Sequence, residues 1–197
     1  MAKRYTWLSF LIILPAALIL GCAELGKVDQ GRVVEFDSAK GIVTLIQDKR
    51  AEPGNPDYNT LPPHVYRIPE DPYEMGPEPK AGRRMKLDTK AKVITIFDPK
   101  TQAFQEILYT LIDQREGVPM TSPLVARKEF PLIDKEKKTI TIYSSRQRVL
   151  VTFTVPEEFM ALPREAWEAG DEVRVYYKEE GKALRLMNIT QTDIFKK

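Results

Sequence analysis

The sequence contains few of the residues from which catalytic and metal centres are built. Among its 197 residues there is one cysteine, Cys22, and one histidine, His64. A Ser-His-Asp triad would depend on His64, and no Gly-x-Ser-x-Gly segment supplies its nucleophile. The sequence also lacks a Cys and His cluster with metal-ligand spacing and a Gly-rich phosphate loop. We predict a protein that is not an enzyme and that holds neither a cofactor nor a metal.

The chain also lacks an excess of positive charge. From Cys22 onward it carries 28 Lys and Arg residues against 28 Asp and Glu residues, because only Lys3 and Arg4 precede that position. Binding to a nucleic-acid backbone depends on a basic surface. We therefore expect no nucleic-acid partner. With one cysteine and no internal disulfide, apolar packing must stabilise the fold.

No apolar run is long enough to be preferred as a membrane span. The longest, residues 5–20, contains Thr6, Ser9 and Pro15, whereas a spanning helix needs about 20 apolar residues. Lys3 and Arg4 before it and Gly21 after it follow the plan of a secretory signal peptide. The alternatives are a transmembrane helix and a plain signal peptide that leaves a free thiol at Cys22.

The segment Ile19-Leu20-Gly21-Cys22 resembles a bacterial lipobox, in which the cysteine is acylated and becomes the first residue. This resemblance predicts a signal peptide over residues 1–21, lipidation of Cys22 and a tether over residues 22–30. Two or more acyl chains give stable membrane attachment. Ala23 after the cysteine resembles the signal for the outer membrane, facing the periplasm.

Alternating apolar residues predict a protein made mainly of antiparallel strands. Val149, Val151, Phe153 and Val155 share one face of such a segment. Acid-led turns such as residues 37–41 are typical of the type I turn that joins two strands. The predicted strand pairs are residues 32–36 with 42–46, 84–87 with 93–97, 139–143 with 149–155, and 172–178 with 183–189.

The strand pattern occurs twice. Residues 37–45 resemble residues 134–142, Tyr66-Arg-Ile-Pro69 resembles Phe153-Thr-Val-Pro156, and Ala81-Gly82 resembles Ala169-Gly170. This repetition predicts two tandem OB-like β-barrel units over residues 31–118 and 119–197. A short helix after Pro156 is expected at one end of the second unit. The alternative is a single β-sandwich.

Eight of the fifteen prolines lie in residues 53–79, which predicts an extended loop. Its aromatic residues Tyr58, His64, Tyr66 and Tyr73 either anchor the loop on the first barrel or form a partner-binding surface. His64 is expected in a loop rather than a strand. Copper bound by His64, Met75 and Met85 is a further alternative, although Met85 matches Val173 in the repeat, which favours core packing.

Four segments resemble an uncharacterised lipoprotein family, a domain of unknown function, from sulfate-reducing bacteria. They are residues 24–31, Met75-Gly-Pro-Glu-Pro-Lys-Ala-Gly82, Tyr109-Thr-Leu-Ile-Asp-Gln114 and residues 176–184. The resemblance implies a cell-envelope lipoprotein and brings no catalytic residue. We expect a non-enzymatic accessory subunit of an envelope protein complex. The alternative is a carrier that binds a small ligand or metal in a barrel mouth.

Overall fold

The computed structural model describes residues 25–52 and 55–192. This part of the chain is all-β: twelve strands form three antiparallel sheets, and the helical segments are single turns. The all-β prediction is confirmed. The predicted signal peptide and Cys22 lie outside the described residues. The strands are β1 (Lys27–Asp37), β2 (Ile42–Gln47), β3 (His64–Arg67), β4 (Arg84–Asp88), β5 (Val93–Asp98), β6 (Ala103–Leu108), β7 (Thr110–Arg115), β8 (Leu132–Asp134), β9 (Thr139–Ser144), β10 (Val149–Thr154), β11 (Glu172–Tyr177) and β12 (Ala183–Asn188).

The helical turns lie in the connections between strands. Helix α1 (Glu157–Met160) and a 3₁₀ turn (Arg164–Ala166) follow β10, with Pro163 between them. A second 3₁₀ turn (Pro72–Glu74) follows β3, and helix α2 (Ile189–Thr192) follows β12. The short helix expected after Pro156 is therefore confirmed. Pro163 keeps it short because proline cannot donate the next hydrogen bond.

The five-stranded sheet combines strands from both ends of the described chain. Its order is β12-β11-β1-β2-β3, and β1 pairs with β2 on one side and β11 on the other. The edge strands β3 and β12 approach each other, since the amide of Arg67 donates to the carbonyl of Gly181 at 2.8 Å. These contacts are isolated bridges. The sheet therefore does not close into a barrel.

The other two sheets share one core. The four-stranded sheet has the order β7-β10-β9-β8 and the three-stranded sheet β4-β5-β6, with only Tyr109 between β6 and β7. Tyr109 packs against Phe153 with ring centroids 4.8 Å apart. The ring of Trp167 also contacts Phe153, with centroids 6.2 Å apart. Aromatic pairs of this kind contribute beyond their buried area. The two sheets therefore pack around one core, which includes Phe153.

The five-stranded sheet meets the shared core where two matching Ala-Gly pairs touch. A Cβ on Gly170 would lie 1.9 Å from the carbonyl oxygen of Val33, and one on Gly82 would lie 2.5 Å from the amide nitrogen of Gly170. Only glycine allows backbones to approach this closely. A small apolar cluster seals the same junction. Its members are Val34, Ile46, Tyr58, Met85 and Phe97.

Aspartates begin four of the hairpin turns. Oδ1 of Asp37 accepts from the amide of Lys40, and Asp88, Asp98 and Asp134 accept from amides two or three residues on in the same way. An Asp side chain at the first turn position stabilises the turn by this hydrogen bond. The acid-led turns predicted from the sequence are present.

The predicted tandem arrangement is not confirmed. Strands β11 and β12, from the predicted second unit, join the sheet of β1 to β3, while β4 and β5 pack against β9 and β10. The two sets of strands are therefore interleaved along the chain. The prediction that His64 lies in a loop is wrong, because His64 begins β3 and pairs with Leu45.

Candidate functional site

A polar cleft lies beside the junction between the five-stranded sheet and the shared core. It has a volume of about 660 Å³. Its walls come from β1, β4, the hairpin between β9 and β10, the loop before β11 and residues 55–59. We call it the arginine cleft, after Arg32 and Arg84 in its wall. The segments that line it are brought together by the close contact of Gly82 with Gly170.

Arg32 is held in the wall by main-chain oxygens. Its Nη1 donates to the carbonyls of Arg84 and Met85 at 2.9 and 2.8 Å. Its Nε is buried and hydrogen-bonds to no group in the described part of the chain. The guanidinium lies over the ring of Tyr58, 4.2 Å from the centroid, in a cation-π contact. Burial lowers the pKa of Arg32, because desolvation disfavours the charged form.

Arg84 is the second arginine of the wall. It is 8% exposed, and its Nε donates to the carbonyl of Trp167 at 2.9 Å. Burial and the neighbouring charge of Arg32 lower the pKa of Arg84 to about 9. Among the described residues, no carboxylate forms a salt bridge with Arg32 or Arg84. Buried charges usually have such a partner.

Tyr58 connects the proline-rich segment to the cleft. Its ring lies in the junction cluster with Met85 and Phe97. Its hydroxyl is buried without a hydrogen-bond partner in the described residues, and burial raises the pKa of Tyr58. The hydroxyl is therefore neutral, and the charges of Arg32 and Arg146 act on it. The nearby loop is fixed by Asp48, whose Oδ1 accepts from the amide of Asp57 at 2.7 Å.

The acidic residues of the cleft are already paired. Glu172 accepts from Arg146 at 2.8 Å and from Gln30 at 2.7 Å. Asp171 accepts from the amides of Asn188 and Gln191, both at 2.8 Å. These carboxylates are thus satisfied by other groups. The unbalanced charge in the cleft is positive.

A second polar cluster is buried inside the five-stranded sheet. Asp29 on β1 accepts from the hydroxyl of Tyr66 at 2.5 Å, and Nδ1 of His64 lies 2.5 Å from the same oxygen. Gln47 on β2 donates to the other carboxylate oxygen at 3.1 Å. Because all three partners are on neighbouring strands, the cluster ties β1, β2 and β3 together. It has the arrangement of a structural network.

The four aromatic residues predicted as a possible partner surface do not form one surface. Tyr58 and Tyr66 are buried, in different clusters. His64 lies beside Tyr66, with ring centroids 6.5 Å apart. Tyr73 is 97% exposed in the 3₁₀ turn after β3. Tyr58 and Tyr66 therefore lie inside the fold, and of the two only Tyr58 lines the arginine cleft.

Within residues 25–52 and 55–192, no three His, Cys, Asp or Glu side chains are grouped as a metal ion would require. Met85 is buried in the junction cluster beside Phe97, as its match with Val173 predicted. No helix within residues 25–52 and 55–192 combines the length and apolarity needed to cross a bilayer.

Arg32 and Arg84 were missed from the sequence as functional residues. Each stands at or near the start of a predicted strand, a position typical of a solvated charge. Arg32 and Val34 share one face of β1, and that face passes from solvent at Val28 into the junction. No sequence signal distinguishes such an arginine from an exposed one. Its burial depends on contacts with β4, more than fifty residues away.

The fold and the cleft define an all-β protein with a polar cleft that is lined by arginines. Residues 24–197 match the model of a family described as a domain of unknown function, DUF4881. The chain belongs to that family. No curated protein and no solved structure matches it.

Proposed function

We propose that this protein is a lipid-tethered, non-enzymatic protein of the bacterial envelope that binds a small polar molecule in the arginine cleft. The observation that supports the proposal is a cleft of about 660 Å³ whose buried polar groups lack partners in the described chain. Small-molecule sites usually enclose 300–1,000 Å³. The tether rests on the lipobox-like segment before Cys22, and the envelope location follows from it.

The strand order supports an OB-like interpretation of the five-stranded sheet. An OB-fold is a five-stranded, partly open Greek-key barrel. Here five strands in the order β12-β11-β1-β2-β3 bring their edge strands together through parallel bridges at Arg67 with Lys182 and Met75 with Leu186. We propose that the two repeats are OB-like units that have exchanged their last two strands.

Ligand binding is tested by filling the cleft. Ser144 on β9 lines it, so Ser144→Trp places an indole in the space. Thr110→Trp makes a comparable change on β7, at an exposed position away from the cleft. Thermal unfolding is measured against a panel of neutral, acidic and basic sugars and amino acids. We expect at least one compound to stabilise the unmodified protein and Thr110→Trp but not Ser144→Trp. Stabilisation that survives in Ser144→Trp, or no stabilising compound, would contradict the proposal.

The tether is tested separately by intact mass spectrometry of protein extracted from membranes. We expect the chain to begin at Cys22 and to carry acyl mass, and Cys22→Ser to abolish both features. An unmodified chain that retains residues 1–21 would rule out lipidation.

An accessory-subunit role is a second candidate, supported by exposed apolar side chains on β6 and β7. Leu108 is 69% exposed and Ile112 is 55% exposed, on strands separated by one residue. Exposed apolar groups often mark protein contacts. Affinity recovery from detergent-solubilised membranes should yield a stoichiometric partner that Leu108→Glu with Ile112→Glu abolishes. Recovery of the same partner with both substitutions would argue against this surface.

A further inference from the structure

The arginine cleft has a charge that the described chain does not neutralise. Glu172 is engaged by Arg146 and Gln30, and Asp171 by side-chain amides. Arg32 and Arg84 instead contact main-chain carbonyls, which are dipoles rather than charges. An arginine remains protonated at neutral pH. Arg32, which is half-buried, and Arg84, which is buried, therefore lie in the cleft wall without a salt bridge among the described residues, and this favours an anion there.

The free edge of Arg32 has the geometry that oxyanions require. A guanidinium presents Nε–H and Nη2–H side by side, and this edge forms paired hydrogen bonds with carboxylate or phosphate. Nη1 of Arg32 is occupied by the carbonyls of Arg84 and Met85. Nε is buried and has no hydrogen-bond partner in the described ranges, while the Tyr58 hydroxyl lies close enough to the guanidinium to act on its pKa. The Nε edge is thus the part of the guanidinium that retains unused donor capacity.

The remaining cleft wall favours a ligand with hydroxyl groups. The side chains of Asn55, Asn59, Ser144 and Gln147 line the cleft, and the Tyr58 hydroxyl is buried beside them without a partner. Amide and hydroxyl groups both donate and accept hydrogen bonds. A bare inorganic anion would occupy a small part of about 660 Å³. The ligand therefore has a polar body as well as a charge.

We propose that the arginine cleft binds a hydroxyl-rich small molecule with one oxyanion group, a sugar phosphate or a sugar acid. The oxyanion meets the Nε and Nη2 edge of Arg32 and the charge of Arg84, and the hydroxyls meet the amides and the Tyr58 hydroxyl. This inference rests on the proposed function, since it names the ligand class of the same cleft. It does not depend on the lipid tether.

The experiment is calorimetric titration of the full chain with glucose 6-phosphate, galacturonate, glucose and inorganic phosphate at physiological ionic strength. We expect the two acidic sugars to bind at least about tenfold more tightly than glucose, since each tenfold step reflects one good charge-assisted contact. Inorganic phosphate should bind more weakly than glucose 6-phosphate, because it lacks the polar body.

Arginine variants locate the binding. Arg84→Gln and Arg32→Lys should each weaken the binding of glucose 6-phosphate by about tenfold or more, since one removes a charge and the other removes the paired edge. Arg32→Lys keeps a cation that can reach the main-chain carbonyls, so the junction remains supported. Arg115→Gln removes an exposed charge on β7 and should leave binding unchanged. Circular dichroism and thermal unfolding establish that each variant is folded.

Four results would overturn this inference. Equal binding of glucose and glucose 6-phosphate would show that the cleft does not select an oxyanion, while leaving the proposed function intact. If Arg115→Gln and Arg84→Gln weakened the binding equally, binding would depend on the overall surface charge and not on the arginine cleft. Tight binding that persists in both Arg84→Gln and Arg32→Lys would place the anion elsewhere. If neither sugar binds but the compound panel yields a neutral ligand that Ser144→Trp blocks, only the anion assignment fails.

Discussion

The hydroxyl of Tyr66 donates to Oδ2 of Asp29 at 2.5 Å, across the width of β2. Both residues are buried, and Asp29 also accepts from His64 and Gln47. Burial and this hydrogen bond raise the pKa of Tyr66, so the phenol remains a neutral donor at physiological pH. The stability of the five-stranded sheet therefore depends in part on this pair.

Removing the phenol hydroxyl should destabilise the protein. Tyr66→Phe leaves the ring in place but takes a donor from a buried carboxylate, which costs about 1–3 kcal/mol. The free energy of unfolding is measured by urea denaturation. Tyr73→Phe makes the same change on an exposed ring and should alter that free energy by less than about 0.5 kcal/mol. Equal midpoints for the two variants would show that the Asp29 cluster contributes little.

A methyl group at the crossing of the two Ala-Gly pairs should not be accommodated. Gly170→Ala would place Cβ against the carbonyl oxygen of Val33, and such overpacking costs about 1–3 kcal/mol. Gly117→Asn enlarges a glycine with open space around it, where asparagine tolerates the positive φ. We expect a lower melting temperature for Gly170→Ala alone. An unchanged melting temperature would mean that the backbones separate at little cost.

The shared core should be sensitive to lost volume. Ile94 on β5 is fully buried, whereas Ile112 on β7 is 55% exposed. Ile94→Ala should cost about 2–5 kcal/mol because it removes apolar contacts and leaves a cavity. Ile112→Ala removes the same atoms at the surface and should cost much less. Chemical denaturation of both variants makes the comparison, and similar losses would contradict the assignment of Ile94 to the core.

Stability should fall in acid because of the turn aspartates. Backbone amides hold the pKa of Asp88, Asp98 and Asp134 below the usual value of 3.8. A carboxylate with a lowered pKa in the folded state stabilises the protein above its unfolded pKa. That contribution is lost as the pH falls from about 3.8 through the lower folded values. Urea midpoints between pH 6 and pH 2 measure the loss.

Asp134→Asn provides the control for the acid effect. Asparagine keeps an oxygen that can accept from the amide of Lys137, but it does not titrate. The variant should lose less stability between pH 4 and pH 2 than the unmodified protein. If the variant and the unmodified protein showed the same pH dependence, Asp134 would not contribute to the loss of stability in acid.

Local sequence patterns predicted most of the strands, but they did not predict which distant strands pair with each other. The segments around Val151 and Val175 alternate, and both they and the apolar segment around Val43 were recognised as strands. Strands β6 and β7, which lie in different sheets, were both missed because the exposed Leu108 and Ile112 obscure the alternation. The matching Ala-Gly pairs were found in the sequence, but their mutual contact was not. Repetition indicates that two segments are alike and does not indicate that they touch.

The cleft was not predictable either, because it is formed by contacts between residues that are far apart in the sequence. Burial of Arg84 follows from its contact with Trp167, 83 positions later. Burial of Arg32 follows from carbonyls on β4. Tyr58 was named from its proline-rich surroundings, and its position beneath Arg32 comes from the packing of that segment against the junction. Charges of this kind become candidates only once the sheets are assembled.

The pairing of β1 with β11 also bears on how the protein reaches its folded state during synthesis. Gln30 and Arg174 are hydrogen-bonded although they lie 144 positions apart. Contacts of such sequence separation form late, because the intervening chain must first be brought together. One edge of β1 therefore stays open until β11 has emerged. A chain interrupted before Glu172 would present that edge to other chains, so a chaperone that shields β1 is most needed before synthesis is complete.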